Sequence, residues 1–434
     1  MRARRLPGDD DHCGWWHLLP PPPPPRRLER EVEADCVVVG AGFTGLAIAW
    51  RLAELRPGWR IALLEAQRAG FAASGRNSGF AGALSHRDPE VDRDAVLRVV
   101  RLSRAGVAWL RERVEAHAIA CDWSECGRIH AAREPRAQRN LDHLRRMLEA
   151  AGEPFVELDR GALSEAIGSD HYRAGVHVEP TVLLQPAALA RGLAANLPPN
   201  VALYEDSPVG AIEPDTGWCV QAGAGGVRAA RVFLAINGFA PALGVLRRRI
   251  FPLSTFASLS RVLGANERAG LGAREQWGLV SENRMGTTLR RTIDQRLLVR
   301  SLVRYTPSLR STQRRLEAMR RHHRRTMAVR WPALGDAEFE FTWGGVMGLT
   351  LNQGQFFGRL GEGLFASAGY NGSGVALGSG SGLALADHAL SEDSPLVPDA
   401  LALPRPSWIP PEPFLGIGVR AATAFLSMRA GGER

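Results

Sequence analysis

Three glycines and one carboxylate, Gly40, Gly42, Gly45 and Glu65, have the types and the spacing to hold an anion beside a ribose. In "GAGFTG" the first glycine permits a tight strand-to-helix turn, the second lets a pyrophosphate approach the backbone, and the third allows the helix to pack closely on the strand. Past Phe43, a helix beginning near Thr44 would then aim its unpaired N–H groups at that anion. Glu65 follows Gly45 by 20 residues and, with Ala66, closes the next strand, where a carboxylate can accept ribose hydroxyls. A GxGxxG turn alone is common; in this setting it is a dinucleotide-binding fingerprint that does not separate NAD from FAD.

The elements that must position these residues are legible around them. Asp35 to Val39 is short, apolar and β-branched, as a buried parallel strand should be, and Thr44 to Leu55 has helical spacing through Leu46, Ala49, Trp50 and Ala53. Arg60 to Leu64 completes a β-α-β unit of about 30 residues.

Two further segments suit a flavin rather than a nicotinamide. "GFAASGRNSGF", residues 70–80, packs small residues around Ser74, Arg76, Asn77 and Ser78, where a cofactor at the strand ends would continue; a flexible loop is the plainer alternative. "GLFASAGYNGSGVALGSGSGLALAD", residues 363–387, runs from a strand through Gly369, Asn371, Gly372, Ser373, Gly374 and Val375 into a small-residue helix. That second helix N-terminus could stabilise negative charge on a reduced flavin, although small residues also serve tight helix packing.

Composition removes several classes. All 54 basic residues are arginine, so there is no Schiff-base lysine for pyridoxal phosphate chemistry and no phosphate-loop lysine. The net charge of +9 would suit nucleic acid, but the arginines are spread through the chain, and "QRRLEAMRRHHRRT" reads as an ordinary helix with Leu316, Met319 and His323 on one stripe. The five cysteines are scattered and His322 and His323 point to different faces, so no metal is expected. No run of about 20 apolar residues is present, which sets a soluble, cytoplasmic protein with no membrane span as the expectation.

Elsewhere, residues 91–165 read as mostly helical, and "VALYE", "GWCVQAG", "ARVFLAING" and the 251–305 region read as strands. The prolines at 20–25 should form a stiff arm carrying Trp15 and Trp16, which could pack on this subunit or another.

Taken together, "DCVVVGAGFTGL" with Glu65, "AASGRNSG", "CDWSECGRIHAA", "LLQPAALARGLA", "FLAINGFAP", "WGGVMGLT" and "AGYNGSGVAL" resemble, in order and over nearly the whole chain, the D-amino-acid-oxidase-like FAD oxidoreductases, in the branch with γ-glutamylputrescine oxidase and the glycine and sarcosine oxidases. The resemblance implies an α/β (α+β overall) fold: a Rossmann-like FAD-binding domain from 34–90, 176–245 and 340–400, and a sheet-based substrate domain from 91–175 and 246–339. An N-terminal arm, 1–33, and a C-terminal tail, 401–434, flank them. It also implies that Gly40, Gly42, Gly45 and Glu65 hold the ADP half with Val209 near the adenine. Ser74, Arg76, Asn77 and Ser78 would approach phosphates and isoalloxazine, and Gly372, Ser373 and Gly374 the pyrimidine edge.

Such enzymes move hydride from a carbon beside an amine nitrogen to flavin N5, and water hydrolyses the imine. Here no cysteine follows Cys219 to attach flavin near the C-terminus, so FAD should dissociate. Without lysine, O2 or another electron acceptor both stay open, and a dehydrogenase feeding a quinone or a protein, or an accessory subunit without turnover, are the alternatives. The oligomeric state is left open.

On the substrate side, "RRTIDQRLLVRSLVRY" alternates: Arg296, Leu298, Arg300, Leu302 and Arg304 are expected on one face and Leu297, Val299, Ser301, Val303 and Tyr305 on the other. Arg290 or Arg300 is the candidate partner of a substrate carboxylate, with Tyr305, Trp343 or Met347 walling the pocket; a surface salt-bridging arginine is the plainer reading of each. No general base is called for, and His130 and His177 are read as structural.

Overall fold

The run Cys36–Val39 is buried at every position, and in this computed structural model, which describes residues 1–83, 89–283, 285–334 and 337–433, it stands inside a six-stranded sheet. Across the sheet lie Phe356–Gly361, Leu364–Ala368, Arg231–Leu234, Cys36–Val39, Ile61–Leu64 and Val201–Tyr204. All neighbours are parallel except the edge strand Phe356–Gly361.

Alternation along these strands builds two cores. Cys36, Val38, Ile61 and Leu63 face the helices Phe43–Leu55 and Ala376–Leu390, while Val37, Val39, Ala62 and Leu64 pack on a four-stranded sheet through Ile212, Val220 and Val227. The small residues of Ala376–Leu390 are explained by close approach. A Cβ on Gly382 would lie 2.6 Å from the Thr44 carbonyl oxygen, and one on Gly380 would lie 1.9 Å from that of Leu102 in the helix Pro89–Ala116.

The second half is an eight-stranded sheet ordered Phe339–Leu349, Phe251–Ser260, Leu297–Tyr305, Thr288–Arg291, Trp277–Ser281, Arg128–Ala132, Ala174–Val178 and Phe155–Asp159. Helix Gln313–Arg330 covers one face, with Leu316 and Met319 against Phe256. The opposite face, carrying Ala257, Leu298 and Trp343, packs with Trp15 and Ala187 toward the six-stranded sheet.

Simple alternation fails in Leu297–Tyr305. Ser301 pairs with Phe256 but Val303 pairs with Thr255, so Leu302 is an extra residue, with φ +59°. The bulge turns Leu302 to the helix side with Phe256 and brings Tyr305 onto the face of Arg300, which the alternating pattern had separated.

Both flanking segments are structured. Residues near the N-terminus pair with Val209–Pro214, where Ala3 N–H donates to the Gly210 carbonyl at 2.8 Å. The proline run lies on this same chain: the Arg68 guanidinium donates to the Pro23 carbonyl at 2.6 Å. The segment read as a tail contains the 16-residue helix Phe414–Arg429. Among the described residues no helix is long and apolar enough to cross a membrane.

Candidate active site

At the first glycine turn, Gly40 has φ +99° and its N–H donates to the Leu64 carbonyl at 2.8 Å. A Cβ on Gly45 would sit 1.8 Å from the Gly40 carbonyl oxygen, so helix and turn can approach only without one. Gly42 caps the helix that Phe43 begins, and Phe43 N–H donates to Ser74 Oγ at 3.1 Å. The serine loop thereby lies across the helix N-terminus. Glu65 accepts from Ala41 N–H at 2.8 Å and from Gln67 N–H at 3.1 Å. Burial pushes its carboxyl up to about 7 against those N–H groups and that of Ala66. Val209 opens the strand of the neighbouring four-stranded sheet.

The second turn is tied to the first, since Thr44 Oγ1 donates to the Tyr370 hydroxyl at 3.1 Å. Gly369 and Gly372 have φ of +93° and +98°, and Asn371 is also left-handed at +51°. Asn371 Oδ1 accepts from Thr350 N–H at 2.9 Å while its Nδ2 donates to the Gly369 carbonyl at 2.7 Å. Asn237 Oδ1 receives the Gly369 N–H at 2.9 Å. Asn237 and Thr350 escaped the reading of residues one segment at a time, because they reach the turn from two other strand ends. Ser373, Gly374 and Val375 lead into Ala376–Leu390, and Leu377 N–H donates to the Ser373 carbonyl at 3.1 Å. No atom lies within 4 Å of a Cβ placed on Gly372, so that side of the turn is open.

Between the turns, the carbonyls of Arg76 and Asn77 are each held by an indole: Trp343 Nε1 donates to Arg76 at 3.0 Å and Trp15 Nε1 to Asn77 at 2.8 Å. The Arg76 guanidinium is buried and fully engaged, with the Phe71 carbonyl at 2.8 Å, the Gly344 carbonyl at 3.2 Å, Asp10 Oδ1 at 3.0 Å and the Asp10 carbonyl. Asp9 lies 3.8 Å away, and burial pushes its carboxyl up to about 6. Arg76 thus ties the arm, the loop and the eight-stranded sheet together. Asp9, Asp10 and Trp15 are site neighbours that only the pairing of distant segments reveals.

The two candidate arginines share a sheet face and differ in what they touch. Arg290 is 1 % exposed and donates to the carbonyls of Ser78, Gly79 and Leu184, with its guanidinium carbon 5.3 Å from the Trp15 ring centre. Arg300 has no hydrogen bond or ion pair among the described residues, and burial alone pulls its guanidinium down to about 10. Strand register places His130, Val280, Thr288, Arg300, Ala257 and Trp343 in one row across that face. Thr288 Oγ1, beside Arg300, is buried without a partner. Met347 lies half-buried on the same face, four residues along the strand from Trp343. Tyr305 sits at the far end, its hydroxyl bonded to Glu412.

His130 is held otherwise: its Nδ1 meets Glu282 and its Nε2 accepts from Arg128 at 2.9 Å, while burial, then Arg128, pull it below its ordinary value. His177 bonds the Cys126 carbonyl at 2.9 Å.

A parallel sheet with two left-handed glycine turns, a helix N-terminus at each and a carboxylate closing the second strand defines a dinucleotide-binding oxidoreductase, and the residues present fit FAD. More narrowly, the chain belongs to the FAD dependent oxidoreductase (DAO) family, whose sequence profile matches residues 35–388, and its cofactor is FAD. It is 28% identical over 377 residues to a probable oxidoreductase OrdL of Haemophilus influenzae, covering 84% of each chain. It is 29% identical over 360 residues to the gamma-glutamylputrescine oxidoreductase of Escherichia coli, covering 80% of this chain and 82% of that one. In fold it is similar to glycine oxidase from Geobacillus kaustophilus, with a TM-score of 0.71 at 23% identity over 85% of this chain and 98% of that one.

Proposed function

We propose that this enzyme oxidises the carbon–nitrogen bond of an amine or amino acid that carries a carboxylate. The observation that carries this reading is Arg300, a half-buried guanidinium with no hydrogen bond or ion pair among the described residues, on the sheet face that turns toward the cofactor sheet. A half-buried cation without a counter-ion carries a desolvation cost, and a substrate carboxylate in a bidentate pair would relieve it. Thr288 Oγ1 supplies a neutral hydrogen-bonding group beside it, and Trp343 and Met347 wall the pocket. Gly40, Gly42, Gly45 and Glu65 hold the ADP half of FAD in this reading. Ser74 to Ser78 and Gly372 to Gly374 flank its flavin half, and Val209 lies near its adenine.

When bound, FAD supplies the hydride acceptor, and the resulting imine is open to hydrolysis. The chain's own part is to orient and to exclude water. The indoles of Trp15 and Trp343 fix the Asn77 and Arg76 carbonyls, and the N-terminus of Ala376–Leu390 offers its positive end to negative charge on the pyrimidine edge. No side-chain base is required when the amine binds neutral, and His130 is already satisfied by Arg128 and Glu282. The names of two relatives, gamma-glutamylputrescine oxidoreductase and glycine oxidase, support an amine-bearing substrate. We place FAD as dissociable, because no cysteine follows Cys219.

Anaerobic addition of a panel of amines and amino acids tests the reading through the visible spectrum. Bleaching by a carboxylate-bearing amine, with Arg300→Met raising the KM for that compound about 10- to 100-fold, is the expected result. Bleaching only by amines that lack a carboxylate, or an unchanged KM in the variant, removes Arg300 from the site.

A further inference from the structure

The helix Phe414–Arg429 is apolar on both sides. Its inward positions, Leu415, Val419 and their neighbours, pack on Tyr305, Leu349 and Ile409. Its outward positions are Phe414, Ile417, Ala421, Phe425 and Met428, spaced three, four, four and three residues apart, which is one stripe of an α-helix. Phe414 is 66 %, Ile417 60 %, Phe425 48 % and Met428 73 % exposed. Single exposed apolar side chains are ordinary, but a continuous stripe over four turns is not. Trp408, just ahead of the helix, adds an indole that is 53 % exposed.

Beside this edge the charge is positive. Ile409 N–H donates to the Arg248 carbonyl at 2.9 Å and the Arg249 guanidinium to the Pro406 carbonyl at 3.0 Å, so the exposed run Arg247–Arg249 borders the segment that carries Trp408. Arg405 is exposed in that segment, and Arg420 and Arg429 are the only charged residues on the helix.

We propose that this helix docks the enzyme on an anionic lipid surface, the apolar stripe and Trp408 entering the headgroup region while the arginines meet lipid phosphates. The stripe is roughly 21 Å long and about 10 Å wide, well short of the ~800 Å² per partner that a stable protein dimer needs. A twofold pairing of this patch with itself would also set arginine clusters near one another. A flat, acid-poor apolar stripe rimmed by arginine complements a sheet of anionic headgroups.

Flotation of the FAD-loaded full chain with vesicles tests this. Vesicles of phosphatidylglycerol mixed with phosphatidylcholine should carry the protein upward, and phosphatidylcholine alone should carry about tenfold less. Phe414→Asp with Phe425→Asp should cut binding by at least about tenfold while the flavin spectrum stays unchanged. Arg248→Glu, which leaves the helix intact, should lower binding to the anionic vesicles. Failure of the wild-type chain to float with anionic vesicles overturns the proposal. So does a dimer, seen by light scattering, that the double variant disperses.

Discussion

The turn at Gly40–Gly45 and the sheet face around Arg300, the cofactor and substrate sides of the proposed site, are specified in opposite ways. The turn is local: six consecutive residues set a positive φ, a helix start and a contact that admits no side chain. The face is assembled from residues on six strands whose common property is register. Backbone sterics make the cofactor side intolerant of change. The substrate side can exchange one side chain without disturbing its frame, which suits a family whose members share a cofactor while differing in substrate.

A single substitution at Gly45 should do the most harm. Gly45→Ala places a Cβ 1.8 Å from the Gly40 carbonyl oxygen, and we expect a protein that purifies without flavin or does not fold, read from the 450 nm to 280 nm absorbance ratio. Gly58→Ala, with no atom within 4 Å, should be indistinguishable from wild type. Retained flavin in Gly45→Ala would mean that the helix can shift, and that the turn is no more rigid than the substrate face.

A second test addresses the seam. Trp15 is 2 % exposed, packs edge-on to Trp343 at 6.3 Å and holds the Asn77 carbonyl. Trp15→Ala should cost about 3–5 kcal/mol in chemical denaturation, and a cost near zero would detach the arm from the folded unit.

On the sheet face itself, the two arginines should respond in opposite ways. Arg290→Met strands three backbone carbonyls and should destabilise by about 1–3 kcal/mol. Arg300→Met removes a half-buried cation that has no partner among the described residues, so the thermal midpoint should hold or rise even as substrate affinity falls. Equal losses of stability in both variants would make Arg300 another structural arginine.

What the sequence showed follows the same division. The glycine turns, the β-α-β unit and Glu65 were legible because their constraints act between near neighbours, and the stripe of Leu316, Met319 and His323 was legible as a helical period. The face of Tyr305 was misread because nothing in "RSLVRY" marks the extra residue at Leu302; the bulge answers to the packing of Leu302 under Leu316 and Met319. The helix Phe414–Arg429 was passed over as a tail, although its apolar period was present, because its polar residues Arg420, Thr423 and Ser427 share a narrow strip between two apolar stripes instead of standing opposite one. The contacts of Asp9 and Asp10 with Arg76 span more than 60 positions and have no local signature.

The smallest expected effect is a slope with pH, and it separates the two sides once more. Burial raises Glu65 to about 7 in the folded chain, above its ordinary value of 4.5, so the fold favours the protonated acid. Its contribution to stability is therefore complete below about pH 4.5 and is lost as the pH rises through about 7. Asp9, raised to about 6, acts with the same sign over a lower window. Histidines that burial pulls below 6.5, His171 and His323 to about 3, act with the opposite sign, so the prediction is a difference: between about pH 4.5 and 7 the thermal midpoint of the cofactor-free wild type should fall relative to that of Glu65→Gln. Arg300, lowered only to about 10, stays charged throughout that window and should add no slope. An equal slope in the wild type and Glu65→Gln from pH 4.5 to 7 would assign the titration to a group other than the buried carboxylate beside the glycine turn.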